Sequence, residues 1–197
     1  MDPRIIRTRI KIKASFLSLI AEKEFEKIAV KDIAESAGVN RITFYDHFKD
    51  KYDLLNEIYK DLDQEAYSVS LSVYQEETDV LNQTYIKISN YLLGFVKALS
   101  KRKELLYSLV KQTGGYVYFS LENFLTGKFL KLITSFGDSS LLIYSLDQTV
   151  ALIVGGIISF VVSGLKEGKY DDNNYENLFY DAQRITRAIL NSKIIFK

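Results

Sequence analysis

Apolar residues recur along this chain every three to four positions, with no convincing strand alternation anywhere. That period belongs to helices that bury one face, so the pattern predicts an all-α protein. Ile12, Phe16, Leu19 and Ile20 mark a first helix, capped by Asp2-Pro3 or by Thr8. A short helix over about 31–37 stops at Gly38, and another spans about 41–47. Asp50 can cap a fourth, whose Leu54, Leu55, Ile58, Leu62 and Ala66 follow the i, i+4 rhythm.

Beyond the polar run "QEETD", the stripe Leu81, Tyr85, Ile88, Leu92, Phe95, Leu99 predicts a long helix. "KRKELLYSLVKQ" is a shorter one, stopped by Gly114-Gly115. Tyr118, Leu121, Leu125, Phe129, Leu132 and Phe136 mark the next, which ends at Gly137. A very apolar helix covers about 141–166, and Asn173 or Asn174 precedes a last one carrying Leu178, Ala182, Ile185 and Ile189. The sum is about nine helices, with no repeat and no low-complexity tract. An N-terminal domain over 1–50 and a larger C-terminal domain over 51–197 are expected.

Composition narrows the chemistry. The 197 residues include no Cys, which excludes a disulfide framework, a thiolate metal site and a cysteine nucleophile. The only histidine, His47, cannot hold zinc alone, and a Ser-His-Asp arrangement would have to recruit it from within the motif described next. Neither a phosphate-binding loop nor a dinucleotide fingerprint occurs, because Gly114-Gly115 and Gly155-Gly156 lack partner glycines and a preceding strand. No enzyme, metal or cofactor is expected. Net charge is only +1, yet Arg4, Arg7, Arg9, Lys11 and Lys13 crowd the start against the single acid Asp2. That basic arm matters if the neighbouring motif binds phosphate. The start has no continuous apolar stretch of the kind a signal peptide needs, so a cytoplasmic protein is expected.

The neighbouring motif is "VKDIAESAGVNRITFYDHFKDK", residues 30–51. Ala34, Gly38 and Phe44 have the spacing of a helix-turn-helix: a small residue at the helix crossing, a glycine at the turn, and a large apolar residue that locks the second helix. With Phe44 and Phe48 inward, a helical wheel turns Ile42, Thr43 and Asp46 outward and leaves Arg41, Tyr45 and His47 on the flanks. Such a helix fits the major groove of B-DNA, with base edges before it and phosphates beside it. Asn40 can cap it, while Ala29 gives the preceding helix no cap of its own.

With Val30, Ile33, Ala34, Ala37, Gly38, Val39, Thr43, Tyr45, His47, Phe48, Lys51 and Leu54 in these places, "VKDIAESAGVNRITFYDHFKDKYDLL" resembles the DNA-binding domain of the TetR (tetracycline repressor-like) regulators. The likeness runs nearly continuously from Ile12 to Leu55. It implies a base or phosphate contact at Thr43, and backbone contacts at Tyr45, His47 and Lys51; Lys31, Asn40, Arg41, Ile42 and Asp46 complete the expected DNA-facing set. It also implies a homodimer on a palindromic operator, with a ligand-sensing C-terminal bundle that controls repression. The alternative is a TetR-like co-regulator or activator whose C-terminal domain answers to a protein partner.

The C-terminal half says more about architecture than chemistry. Tyr85, Tyr91, Phe95, Tyr107 and Tyr118 are candidates to line a cavity for an unknown small-molecule effector. The competing reading makes the tyrosines core residues whose hydroxyls reach water. Between Asp147 and Lys166 lie 18 uncharged residues, at the lower limit for a membrane span. Gln148, Thr149, the paired glycines and the amphipathic neighbours favour a buried helix and no membrane. A helix apolar nearly all round needs cover on several sides. Two copies of the last two helices can supply it, through Gly156, Ser159, Ser163, Ile185 and Ile189.

Overall fold

The computed structural model describes residues 2–72, 80–112, 114–136 and 142–170, and, towards the C-terminus, residues 177, 178, 180, 181, 184, 185 and 188. Among them are eight α-helices and no strand. They are α1 (Pro3–Glu22), α2 (Val30–Ser36), α3 (Arg41–His47), α4 (Lys51–Ser72), α5 (Val80–Ser100), α6 (Lys103–Lys111), α7 (Tyr116–Phe136) and α8 (Leu146–Lys166), with a 3-10 turn at Phe25–Lys27 after α1. The described residues of the C-terminal stretch 177–188 are helical as well, where the last helix is expected. The chain divides into two compact units, Met1–Asp61 with Arg102–Phe119, and Leu62–Lys101 with Ser120–Lys197.

Helix ends follow the expected chemistry. The Asp2 carboxylate accepts the Arg4 N–H at 2.8 Å, and Asp50 accepts those of Tyr52 and Asp53, both at 2.8 Å. These bonds satisfy donors that the first turn of a helix leaves open. The apolar helix begins at Leu146 rather than near 141. Ser145 and Gln148 form a reciprocal capping box there: the Gln148 N–H donates to Ser145 Oγ at 3.3 Å, and the Ser145 N–H to Gln148 Oε1 at 3.2 Å.

In the first unit, Ile12, Phe16 and Ile20 of α1 are fully buried together with Phe25, Ile33, Phe44, Leu54 and Leu105. Leu19 lies only half inside. The same unit takes in α6 and the first residues of α7, which reach it from a hundred positions along the chain. The Gln112 carboxamide reaches the end of α1. Its Oε1 accepts the Phe25 N–H at 3.2 Å, and its Nε2 donates to the carbonyls of Ile20 at 3.1 Å and Lys23 at 2.8 Å. Lys111 donates to the Glu22 carbonyl at 2.9 Å, and the Tyr116 ring stacks on Phe25 with centroids 4.6 Å apart. The Tyr59 hydroxyl completes the bracket with a 3.0 Å bond to the Val117 carbonyl.

In the second unit, α5 is buried on nearly every side from Tyr91 to Leu99, Lys97 excepted. Gly94 permits this: a Cβ built on it would stand 2.3 Å from the Ala66 carbonyl oxygen of α4. Within this unit the buried stripe of α7 runs Leu121, Leu125, Phe129, Ile133, so Leu132 sits at its edge. Helix α8 is long and apolar enough to cross a bilayer by length and composition, and half of its most apolar window is buried within the protein. Val150, Ile153, Val154, Ile157, Val161 and Val162 form its inner side.

Candidate nucleic-acid interface

The turn between α2 and α3 is built as its residue types require. Gly38 sits at φ +65°, in the left-handed region that an L side chain enters only with strain. Asn40 Oδ1 accepts the Thr43 N–H at 2.7 Å and caps α3. Ala29 offers α2 no side-chain cap, and the Asp32 carboxylate meets the helix start from the other direction by accepting the Ala29 N–H at 3.0 Å. Half of a capping box therefore remains.

Helix α3 is seated by Phe44, fully buried, with Phe48 just beyond its end also buried. Their rings lie 5.8 Å apart. The opposite side is left to solvent: Ile42 is 74% exposed and Tyr45 56% exposed. Arg41 and Asp46 are exposed, and Thr43 and His47 are half-buried at the flanks. The Tyr45 ring packs edge-on against Phe44 at 5.6 Å, which fixes its stem. The seven-residue helix therefore has one core face and one solvent face, with Ile42 on the latter.

The C-terminal end of α3 is held by Arg9. One guanidinium nitrogen donates to the His47 carbonyl at 2.9 Å, another to Glu57 of α4 at 2.8 Å, and the group lies 4.5 Å over the Phe48 ring. Lys13, one turn along α1, pairs with Asp61 at 2.6 Å. A hydrogen bond from Lys60 holds the Glu57 carboxyl below the usual carboxylate range, against the effect of burial, and the Arg9 and Lys13 charges add to it. Two cations of the expected phosphate-binding arm are thus engaged inside the protein. Arg4, Arg7 and Lys11 remain exposed, as do Arg41 and Lys49 near α3. The periodicity carries a trace of this, because Arg9 and Lys13 fall in line with the buried Phe16 and Ile20.

The remaining candidates are placed as follows. Lys31 is exposed beside Glu35, at a 3.6 Å pairing distance worth little in water. Asn40 has its oxygen engaged by the cap. Lys51 donates its three protons to the main-chain carbonyls of Phe25, Glu26 and Ile28. Of the expected effector-cavity residues, Tyr107 and Tyr118 belong to the first unit, with Tyr107 53% exposed, while Tyr91 and Phe95 are buried in the second. The Tyr85 side chain and all of Ile189 lie outside the described residues. The Tyr91 hydroxyl donates to Asp63 at 2.6 Å, and Lys128 pairs with the other Asp63 oxygen. Burial first, then the hydrogen bond to Asp63 and its charge, push the Tyr91 phenol far above its ordinary pKa, so it stays a donor. On α8, Gly156, Ser159 and Ser163 are exposed along one face with Leu152; Ile185 is half-buried.

Comparison with known proteins converges on the same segment. Residues 17–58 match the family described as bacterial regulatory proteins, tetR family. YxbF of Bacillus subtilis (strain 168), an uncharacterized HTH-type transcriptional regulator, is 39% identical over 56 residues. That match spans 28% of this chain and only 15% of the relative's length. Among solved structures, the fatty acid degradation regulator FadR from Bacillus halodurans superposes with a TM-score of 0.62 at 18% identity, covering 98% of this chain and 97% of its own. TylP, a tetR regulator from Streptomyces fradiae, gives 0.63 at 20% identity over 98% and 89%. At such identities the likeness is one of fold, and it extends over the whole chain.

Proposed function

We propose that this chain is a TetR-type transcriptional repressor that reads a palindromic operator as a homodimer and is released by a small-molecule effector; the match of residues 17–58 to the tetR family and the 39% identity to an HTH-type regulator over 56 residues support the reading. The single observation that carries the reading is the outer face of α3. Ile42 and Tyr45 stand in solvent on a helix whose other side is fixed by Phe44 and Phe48. In a major groove, Ile42 packs on a thymine methyl, Asp46 accepts from a cytosine amino group, and Thr43 reaches a base or a phosphate. Tyr45, His47, Arg41, Lys31 and the Asn40 amide lie where they can position the backbone.

The dimer rests on α8. Its exposed face holds Leu152, Gly156, Ser159 and Ser163, and no charge occurs between Asp147 and Lys166. A Cβ built on Gly156 meets nothing within 4 Å, so the space above it is open in the single chain. A second copy of the same face fills such a surface isologously and gives two α3 helices the two-fold relation of a palindrome. Ile185 extends the seam, the protein works in the cytoplasm, and α8 pairs with protein rather than lipid. Effector control is assigned to the second unit, where Tyr91 and Phe95 face the core, and α4 and α7 contribute residues to both units.

Selection of duplexes from a random pool by the purified full-length protein tests the reading. Enrichment of an inverted repeat supports it. Recovery of no preferred sequence, or of a single unrepeated site bound by a monomer, overturns it.

A further inference from the structure

Lys51 opens α4, directly after the helix-turn-helix, and the family resemblance puts its charge on a DNA phosphate. Its surroundings are those of an internal cap. Nζ donates to the carbonyls of Phe25 at 2.8 Å, Glu26 at 3.1 Å and Ile28 at 2.9 Å. An ammonium has three N–H donors and no acceptor, so these bonds use its full capacity. The same nitrogen lies 4.6 Å over the Phe25 ring and 5.6 Å from that of Tyr52, both within cation–π range. Burial lowers its pKa from the ordinary lysine value, in keeping with a group drawn out of water.

The three carbonyls share a location. They lie in and just after the 3-10 turn Phe25–Lys27, on the short connection from α1 to α2. Carbonyls that converge at the end of a helical turn make a negative pole, and a cation there replaces the partners they lack. Lys51 therefore ties the chain that enters α2 to the start of α4, just beyond α3. The two helices of the reading head lie between these points in sequence, and α2 has no side-chain cap at Ala29 to fix its start independently.

We infer that Lys51 is a positioning residue, which sets the entry of α2 and α3 by clamping residues 25–28, and that it is not a phosphate ligand. The inference rests on the DNA-binding reading above, and the two fail separately. Lys51→Met keeps the methylene stem and deletes all three donors; Lys51→Arg keeps the charge and a reduced set of donors. Affinity for the duplex selected by the parent is measured from low to moderate salt, at a temperature where circular dichroism shows both proteins folded. Arg41→Met serves as the reference for a lost phosphate contact.

A clamp predicts that Lys51→Met loses about tenfold or more in affinity at every salt concentration, with the log–log slope of the parent. Lys51→Arg should recover part of the loss. The carbonyl 13C resonances of Phe25, Glu26 and Ile28 should shift in Lys51→Met and not in Arg41→Met. A phosphate ligand predicts instead that the slope falls by about 0.9 per subunit while those resonances stay in place, and this overturns the inference. Unchanged affinity with an unchanged slope overturns it as well. Should Lys51→Met not fold, Lys51→Gln takes its place; its uncharged amide on a shorter stem cannot serve all three carbonyls, so affinity should fall with the parent's slope, by less than for Met. A parent that binds no duplex refutes the DNA-binding reading, and the carbonyl shifts still decide the clamp.

Discussion

Replacing Gln112 by Ala tests whether the first unit is held together from outside the helix-turn-helix. The side chain makes three hydrogen bonds, to the Phe25 N–H and to the Ile20 and Lys23 carbonyls. Each ordinary bond contributes about 1 kcal/mol net, and a donor or acceptor left unsatisfied out of water costs about 1–3 kcal/mol. Lys23 is exposed, so water replaces that bond at small cost, whereas Phe25 and Ile20 are fully buried residues. The expected loss is about 2–3 kcal/mol, which for a chain of this size lowers the midpoint by roughly 4–12 °C. Gln112→Glu separates the bonds from the packing. It preserves an acceptor for Phe25 but turns a second oxygen towards two carbonyls, so it should destabilise at least as much as Ala. Urea unfolding followed by circular dichroism measures both. A loss below about 0.5 kcal/mol for Ala, or a Glu variant as stable as the parent, would refute the bracket.

Other expectations follow from single positions. Gly156→Arg should convert dimer to folded monomer in sedimentation, since a Cβ there meets nothing within 4 Å among the described residues; a persistent dimer would place the interface elsewhere. Operator affinity should fall steeply with salt, each phosphate contributing about −0.9 to the slope, and Arg9→Met should leave that slope in place because Arg9 is engaged internally. Gly94→Ala should be more damaging than Gly38→Ala. The first drives a methyl into the Ala66 backbone and costs upwards of about 1–3 kcal/mol, while the second meets open space and costs about 1 kcal/mol of left-handed strain. Thermal unfolding of the two variants reads the order, and a reversed order would contradict it.

The helices were legible because each carries its own signal: a stripe of period 3.6, a cap at Asp2, Asn40 or Asp50, a glycine at 38. The outer face of α3 was legible for the same reason, since placing Phe44 and Phe48 inward decides where Ile42 and Asp46 go. Long-range side-chain bonds leave no such trace. Nothing local distinguishes Gln112 from any polar residue at a helix end, yet it caps α1 from some ninety positions away. The internal partners of Lys51 and Arg9 leave no trace either, because a charge is visible in sequence and the groups it bonds are not. The start of α8 was misplaced because the apolar run from Leu141 outweighs the Ser145–Gln148 box, although the box sets the boundary.

The central claim is that the Ile42–Asp46 face of α3 reads bases while Tyr45 holds the backbone. The most direct measurement is a site-selection profile of Asp46→Asn and Tyr45→Phe beside the parent. Asp46→Asn should relax or change the preferred base at one position of each half-site, altering discrimination there by about 1–3 kcal/mol, and strengthen non-specific binding by removing a charge that repels phosphates. Tyr45→Phe should weaken all sequences alike and keep the parent's profile. An Asp46→Asn profile identical to the parent's, with Tyr45→Phe rewriting its own, would mean that α3 meets DNA with a different face.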